Sequence, residues 1–551
     1  QYPLRLNRGV GAYRAEVEAA PGVAGVLIFA GCTLRCLVAV DGAFLADHAG
    51  LSPFQVSVPA PEEPGRRIRT VVVLADNRFD MRTHPVHQPK YDWYQAGGIV
   101  RAVQFHALVS AEQLYIRAVE VYPTSLREVD VVVRPSATDR LDVVYHWRFD
   151  DDDPSGDCRG WPGWDDMGSN GGLRGVEVPG ARAWSPKSPA MHRLKVALLA
   201  GGRLLDCVEV RFGLRLVSAR SSKIQLNGKP VKLLGFNRHD MTDTPVLSYW
   251  ELLRDVQVIE VAGANFVRGA HYAQDPRFLD LCDVHGLLVW EEVLGWQNTP
   301  SDFSDGVFMV QMLRMADEMA TASANHPSVI IFGFFNEGDS GDRGRATSAA
   351  YSAMSSRIRE RSKGTRLVGW GSNAGANDQQ LAFADVCAFH GYTAWYPTTR
   401  QADMEEVQQI PYVWEAYSRW VEENYPDKPF LITEAGAGGL FGRLGPSDVK
   451  WTEEYQSLLF QMHLLAAMRN PRVAGLSLWM FADAPIDRNV SSDEHRPRGL
   501  NNKGVVGLNR QPKVAFQAVR LLLTQRDEPA PYVGLILPPA DAERLAGQLR
   551  L

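Results

Sequence analysis

The run His326-Pro327-Ser328-Val329-Ile330-Ile331-Phe332-Gly333-Phe334-Phe335-Asn336-Glu337-Gly338-Asp339-Ser340 decides the fold. Positions 329–334 are apolar or Gly, and Phe335 follows. A short β-branched and aromatic run of this kind, with Pro327 just before it, reads as a strand buried on both faces, the pattern of parallel sheets. At its C-terminal end the chemistry changes abruptly to Asn336 and Glu337. The C-terminal tips of buried parallel strands are where barrel enzymes place their working groups. Taken alone, the stretch fits a capping or merely solvated Glu337 equally well.

A second stretch repeats the design. Pro429-Phe430-Leu431-Ile432-Thr433-Glu434-Ala435-Gly436 is an apolar strand ending in a carboxylate, followed by small residues. Two carboxylates at the tips of two strands of one barrel can face each other across its mouth. Cleavage of a glycosidic bond needs such a pair, one group to protonate the leaving oxygen and one to attack or to activate water.

Outward from these two runs, apolar strands alternate with helix-length segments. Strands are expected at 231–236, 266–270, 287–290, 329–334, 367–370, 386–389, 430–433 and 474–479, with helices such as 250–262 and 309–324 between them. Eight such units over this length predict a (β/α)8 TIM barrel, assigned to 218–551 with its C-terminal tail. Upstream the texture is that of short antiparallel strands punctuated by Gly, Pro and Asp. Residues 1–110 read as a jelly-roll β-sandwich and 111–217 as a smaller, immunoglobulin-like β-sandwich. Within the second, 150–172 is dense in Asp, Gly and Pro and reads as a polar loop or disordered insert, its successive Asp residues solvated.

A chain of 551 residues suggests several domains. A net charge of -6 offers no general attraction to nucleic acid or anionic membranes, and no long apolar run suggests a membrane span. The chain begins at Gln1 with no apolar signal region, which reads as a trimmed start compatible with secretion or a periplasmic address. The six cysteines are sparse, and Cys32 and Cys36 sit in strand-like alternation without a second pair of zinc-like spacing; they read as buried free thiols. One sequon, Asn489-Val490-Ser491, says little.

Several motifs together resemble glycoside hydrolase family 2, the β-galactosidase and β-glucuronidase group. They are Gly235-Phe236-Asn237-Arg238-His239-Asp240, Asn265-Phe266-Val267-Arg268-Gly269-Ala270-His271-Tyr272, Asn325-His326-Pro327-Ser328 through Asn336-Glu337, and Thr433-Glu434. Upstream, Val210-Arg211-Phe212-Gly213-Leu214-Arg215 and Leu226-Asn227-Gly228-Lys229-Pro230 resemble the family's join between sandwich and barrel. The resemblance implies further strands before 11–17, so the first domain reads as shortened.

By this resemblance Glu337 is the general acid/base and Glu434 the nucleophile of a retaining hydrolase, with carboxyl groups about 5–5.5 Å apart. The expectation is that apolar walls and the neighbouring charge raise the pKa of Glu337, while hydrogen bonds keep Glu434 ionised. Asn336 is placed to bond the sugar 2-hydroxyl. Arg498-Gly499-Leu500-Asn501-Asn502-Lys503-Gly504 resembles the Asn-x-Lys signature of β-glucuronidases, which assigns Asn501 and Lys503 to a substrate carboxylate; an ordinary solvated loop lysine is the rival reading. Pro497 stands where an Arg is usual, with Arg496 and Arg498 on either side; either can substitute, and Arg498 is counted among the candidates for substrate contact. Asp92, in a loop of the first domain, is a candidate for the sugar hydroxyls. His239, His271, Tyr392, Trp395, Tyr396 and Trp479, all beside strand tips, are candidates for substrate contact, although aromatics there also pack. His390 shares that rim without an assigned role.

The expected reaction is removal of a terminal β-linked uronic acid, in the manner of a β-glucuronidase. A β-galacturonidase and a neutral-sugar β-galactosidase-like enzyme remain alternatives, as does an inactive carbohydrate-binding protein. No metal or cofactor is expected: the carboxylates do not match the magnesium and sodium cluster of some relatives, and phosphate-loop and dinucleotide fingerprints are missing. The expected partner is a carbohydrate; homo-oligomerisation is open.

Overall fold

Each of the eight apolar runs becomes a strand of one parallel sheet: Leu233–Arg238, Phe266–Gly269, Leu288–Glu292, Val329–Gly333, Leu367–Gly369, Cys387–His390, Phe430–Glu434 and Val473–Leu478. Every residue in them is buried. Neighbours in sequence are neighbours in the sheet, and the eighth strand pairs with the first. Between the fifth and sixth strands the ladder reduces to Ser372, whose N–H donates to Ala388 O at 2.9 Å while its own carbonyl accepts from His390 N at 2.9 Å. The sheet is therefore an almost closed barrel. The computed structural model describes residues 8–525 except 64, 80–90, 110, 113, 138–141, 151–162, 243, 245, 397–402 and 488–495.

Expected and observed strands agree within about two residues, the usual uncertainty of a boundary read from pattern. The first differs for a physical reason. Lys229–Val231 belongs to a small antiparallel sheet with Val217–Arg220 and Lys223–Leu226. That sheet lies under the barrel, where Ile224 and Leu226 pack with Leu233, Leu288 and Ile330 to seal the floor. The helix expected at 250–262 runs Tyr249–Val261 behind a capping box of Ser248 and Glu251, and that at 309–324 runs Gly306–Ala322 from the N-cap Asp305. The opening stretch is anchored before its strand begins: His326 Nδ1 lies 2.6 Å from Asp283 Oδ2, and Ser328 N donates to Asp283 Oδ1 at 3.0 Å.

Upstream of the barrel lie two antiparallel sandwiches. In the first, a sheet of Val10–Glu18, Ile68–Asp76, Arg35–Val40 and Ala43–Ala49 packs on one of Phe54–Val58, Gly25–Phe29 and Val103–Ala107. In the second, Ile116–Pro123, Glu128–Pro135 and Gly172–Glu177 face Asp165–Gly168, Val143–Phe149, His192–Ala200 and Arg203–Phe212 across a Val- and Leu-rich core. Two expectations change here. The polar segment at 150–172 supplies the strand Asp165–Gly168, because its neighbour Val143–Phe149 offers it a free ladder edge. Cys32 and Cys36 form a disulfide rather than two free thiols. In an unbroken strand residues four apart are too distant to bond; here the chain bends at Leu34, and the two Cα atoms come to 6.3 Å. Cys207 is also disulfide-bonded, whereas Cys282 and Cys387 are free and buried. The sequon at 489–491, Cys158 and the tail from 526 lie outside the described residues. Among the described residues no helix is long and apolar enough to cross a membrane.

The first sandwich matters to function because its loop 91–98 docks on the barrel mouth. Tyr94 N donates to Pro485 O at 2.8 Å, and Trp93 is buried against Tyr91, His239 and Trp296.

Candidate active site

Glu337 does not sit on the strand itself. The fourth strand ends at Gly333, and the chain then turns through Phe335 (φ 47°) and Glu337 (φ 50°), both in the left-handed region. Such conformations are costly for residues with side chains and persist only when the surroundings impose them. Here neighbouring loops do so: Glu337 N donates to Gly371 O, Gln297 N to Asn336 O and Asp339 N to Asn298 O, each at 2.8 Å. The turn aims the carboxyl group inward. Its Oε2 accepts from Trp296 Nε1 at 3.2 Å and Gln297 Nε2 at 3.1 Å, and its Oε1 lies 3.0 Å from His390 Nδ1.

Glu434 ends the seventh strand and points at the same place. Its Oε2 accepts from Tyr392 Oη at 2.7 Å and its Oε1 from Arg268 Nη1 at 3.0 Å. An oxygen of Glu337, an oxygen of Glu434 and a ring nitrogen of His390 all lie within 4.8 Å of one another.

Beneath the two carboxylates Arg268 organises a buried network. Its guanidinium donates to Glu292 Oε1 at 2.8 Å, Asn237 Oδ1 at 2.8 Å and Asn336 Oδ1 at 2.6 Å, besides Glu434. His271 Nδ1 is 2.8 Å from Glu292 Oε2, and His271 Nε2 is 3.3 Å from the Asn336 amide nitrogen. Burial and the Arg268 charge hold His271 well below the usual imidazole range, so the ring is neutral and can accept from Asn336. The Asn336 side chain is thus clamped at both ends while still lining the cavity.

The opposite end of the cavity is cationic. Lys503 is buried, donates to Tyr396 Oη at 3.1 Å and lies 5.4 to 5.9 Å from the ring centroids of Tyr392, Trp395 and Tyr396. Burial, then the charge of Arg496, lowers its pKa. Arg496 grips Asp92 with two hydrogen bonds, Nε to Oδ1 at 2.9 Å and Nη2 to Oδ2, and Asn501 Nδ2 reaches Asp92 Oδ2 at 3.2 Å. The cavity holds about 470 Å³, ample for a sugar ring together with part of the group it is attached to.

Of the thirteen residues singled out from sequence, Asp92, His271, Asn336, Glu337, Tyr392, Tyr396, Glu434, Trp479 and Lys503 line this cavity. Three stand behind its wall. Trp395 packs on Trp451, Asn501 on Asp92, and His239 against Trp93 with its Nδ1 3.2 Å from Tyr272 Oη. Arg498 is the exception: it is exposed, at φ 64°, and the neighbouring Arg496 faces the cavity in its place. Trp93, Trp296, Gln297 and Asn373 also line the cavity and were not singled out. Trp296 and Gln297 follow the third strand at the catalytic end, so their position was a usable signal.

The charge states run opposite to expectation. Burial pushes Glu337 up, but His390 and Gln297 outweigh it and hold the carboxyl down to about 2. Glu434 is raised: burial dominates, Glu337 adds to it, and His390, Arg268 and Tyr392 pull the other way without prevailing. The reason is the imidazole at Glu337 Oε1, which no one-dimensional reading places there.

Comparison with known proteins gives a consistent picture. The domain described as "Glycosyl hydrolases family 2, TIM barrel domain" matches residues 217–526, and "Glycosyl hydrolases family 2" matches 166–215. A beta-glucuronidase of Streptococcus agalactiae serotype V is 25% identical over 527 residues, 89% of this chain and 83% of that one. A beta-glucuronidase of Pongo abelii is 30% identical over 358 residues, 63% of this chain; the match spans about half of that relative, 53% of its length. Among solved structures, a GH2 beta-galacturonidase from Eisenbergiella tayi bound to galacturonate superposes with a TM-score of 0.82 at 28% identity, covering 94% of this chain and 90% of that one.

Proposed function

The chain belongs to glycosyl hydrolase family 2, and on that premise we propose that it is a retaining exo-β-uronidase that removes a terminal β-linked glucuronic acid. The observation that carries this reading is one cavity with two chemically distinct ends. At one end, carboxylate oxygens of Glu337 and Glu434 lie within 4.8 Å of each other. That gap suits direct attack on the anomeric carbon; an inverting enzyme needs about 6.5–9.5 Å to seat a water. At the other end, the Lys503 ammonium is desolvated and held against three aromatic rings, an arrangement suited to a carboxylate.

The reaction follows from these positions. With the uronate carboxylate on Lys503 and Tyr396, the sugar ring lies along Trp479, and its C1 comes over Glu434. Glu434 Oε attacks C1 while Glu337 protonates the departing oxygen, so the leaving bond's electron pair ends on a neutral alcohol. Arg268 and Tyr392 favour the ionised form of the attacking carboxylate against its burial and fix its angle. Asn336, locked between Arg268 and His271, presents its amide to the 2-hydroxyl. Once Glu434 is esterified its charge is gone, and Glu337 deprotonates the water that releases the sugar with net retention. The loop 91–98, docked on the barrel mouth, favours a terminal residue.

A second reading, galacturonide in place of glucuronide, is favoured by the likeness to the galacturonate-bound structure. The two sugars differ only at C4. The test is a panel of 4-nitrophenyl β-glycosides. Preference for either uronide over the glucoside and galactoside supports the proposal, and preference for a neutral sugar rejects it.

A further inference from the structure

His390 stands between the two carboxylates, and nothing in the double-displacement scheme above uses it. It ends the sixth strand, in register with Glu434 on the seventh. Its Nδ1 lies 3.0 Å from Glu337 Oε1, and its Nε2 lies 3.4 Å from Glu434 Oε1. The ring is buried and closely packed. His390 N donates to Ser372 O, and a Cβ at Gly371 would stand 2.3 Å from His390 Nε2, so only a glycine leaves room for the imidazole. The titratable groups around it are Glu337 from the turn after the fourth strand, Glu434 from the seventh strand, Arg268 on the second and His271 just after it, Glu292 from the third and Tyr392 from its own loop.

Glu337 has a difficulty that this placement resolves. A general acid must carry a proton, yet Oε2 already accepts from Trp296 and Gln297, which leaves Oε1, beside the His390 ring nitrogen, as the oxygen that can hold it. Two carboxylates and an imidazole in contact share their protons as one unit, and a single proton has two arrangements that matter. In one the imidazolium lies between two carboxylates. In the other the imidazole is neutral, Glu337 is a carboxylic acid and Glu434 is ionised. Both hold the same number of protons and the same net charge, and only the second is reactive.

We propose that His390 is a positioning residue that stores the acid proton at Nδ1 in the empty site and passes it to Glu337 Oε1 when substrate occupies the cavity. The inference rests on the roles proposed above for Glu337 and Glu434. In the transfer the N–H bond at His390 Nδ1 breaks, an O–H bond forms at Glu337 Oε1, and the charge of the three groups together is unchanged. The proton then goes to the leaving oxygen. In the second half-reaction the proton taken from water by Glu337 returns to Nδ1 and restores the resting state. The storage widens the pH range of the acid, because a proton with two places to sit is lost at higher pH than one held by Glu337 alone.

The test is the pH profile of kcat/KM on methyl β-D-glucuronide, whose poor leaving group demands protonation, for the wild type, His390→Asn and Glu337→Gln. Asn keeps a donor toward Glu337 but cannot carry the proton. The basic limb is expected to fall by about one pH unit or more in His390→Asn. An unmoved limb with a uniform loss at all pH values assigns the ring to packing alone and overturns the proposal. A Glu337→Gln variant with wild-type rate and profile instead overturns the parent assignment of the acid. Selective ¹⁵N-histidine NMR of the wild type provides a reading that does not depend on the variant folding. An imidazolium at His390 in the empty enzyme, on the plateau of the profile, is expected, and a neutral ring there overturns the proposal.

Discussion

Replacing Lys503 with Met separates recognition of the uronate from the chemistry at C1. Met keeps an unbranched apolar stem and removes the ammonium that lies 5.4 to 5.9 Å from the ring centroids of Tyr392, Trp395 and Tyr396. The lysine is 2% exposed, and its head group has Tyr396 Oη at 3.1 Å and no carboxylate of its own within salt-bridge distance among the described residues. A uronate entering the cavity would supply that missing anion. Truncating one partner of a buried charge pair costs about 2–5 kcal/mol, which corresponds to about a 30- to 5,000-fold loss in kcat/KM. Because the carboxylate is remote from the reacting bond, much of the loss should appear in KM, with the remainder in kcat where that binding energy orients C1. The assay is steady-state kinetics of Lys503→Met and wild type on 4-nitrophenyl β-D-glucuronide and on the matching glucoside. A large loss on the uronide with little change on the glucoside is expected. An equal loss on both sugars, or a loss under about threefold on the uronide, refutes the assignment.

Other outcomes follow from the same geometry. Gly371→Ala places a Cβ 2.3 Å from His390 Nε2 and 2.8 Å from both Arg268 Nη2 and Asn336 Oδ1; overpacking there should cost about 1–3 kcal/mol in urea denaturation and lower kcat by at least about 100-fold. Arg268→Met leaves Glu292 and Glu434 buried without their cation, and a destabilisation of about 3–5 kcal/mol is expected, read from the denaturation midpoint at constant slope. Glu434→Ala should abolish turnover, and added azide should restore it with formation of the α-linked glycosyl azide, identified by NMR. Asp255 is buried against Arg238 and Arg510, whose charges overcome burial and depress its carboxyl below the usual range. A depressed acid stabilises the fold above its unfolded pKa of about 3.9 and loses that contribution as pH falls through the lower folded value. Asp255→Asn should therefore be less stable near neutrality and flatter in stability between about pH 4 and 2, by thermal denaturation across that range.

What could be read from the chain divides along physical lines. The barrel strands were legible because burial on both faces leaves a continuous apolar run, and their ends were marked by the abrupt arrival of Glu337 and Glu434. Lys503 was legible through a local motif. The contacts that set charge were not. His390 meets Glu337 only because the fourth and sixth strands lie on opposite sides of a strand whose tip narrows to Gly371, and no spacing in the sequence encodes that approach. The acid turn itself depends on left-handed residues, Phe335 and Glu337, that carry none of the usual Gly or Asn signals. At 496–498 the candidate from sequence is Arg498, and the left-handed turn there leaves that side chain exposed while Arg496 lines the cavity. The Cys32–Cys36 bond was hidden by a bend within what reads as one strand.

The account stands on Glu434 as the atom donor that captures the sugar. Inactivation with a 2-deoxy-2-fluoro-β-D-glucuronosyl fluoride, followed by proteolysis and mass spectrometry, addresses that directly. One fluorouronosyl group on the peptide bearing Glu434 is the predicted result. A label on the Glu337 peptide in place of the Glu434 peptide would contradict it.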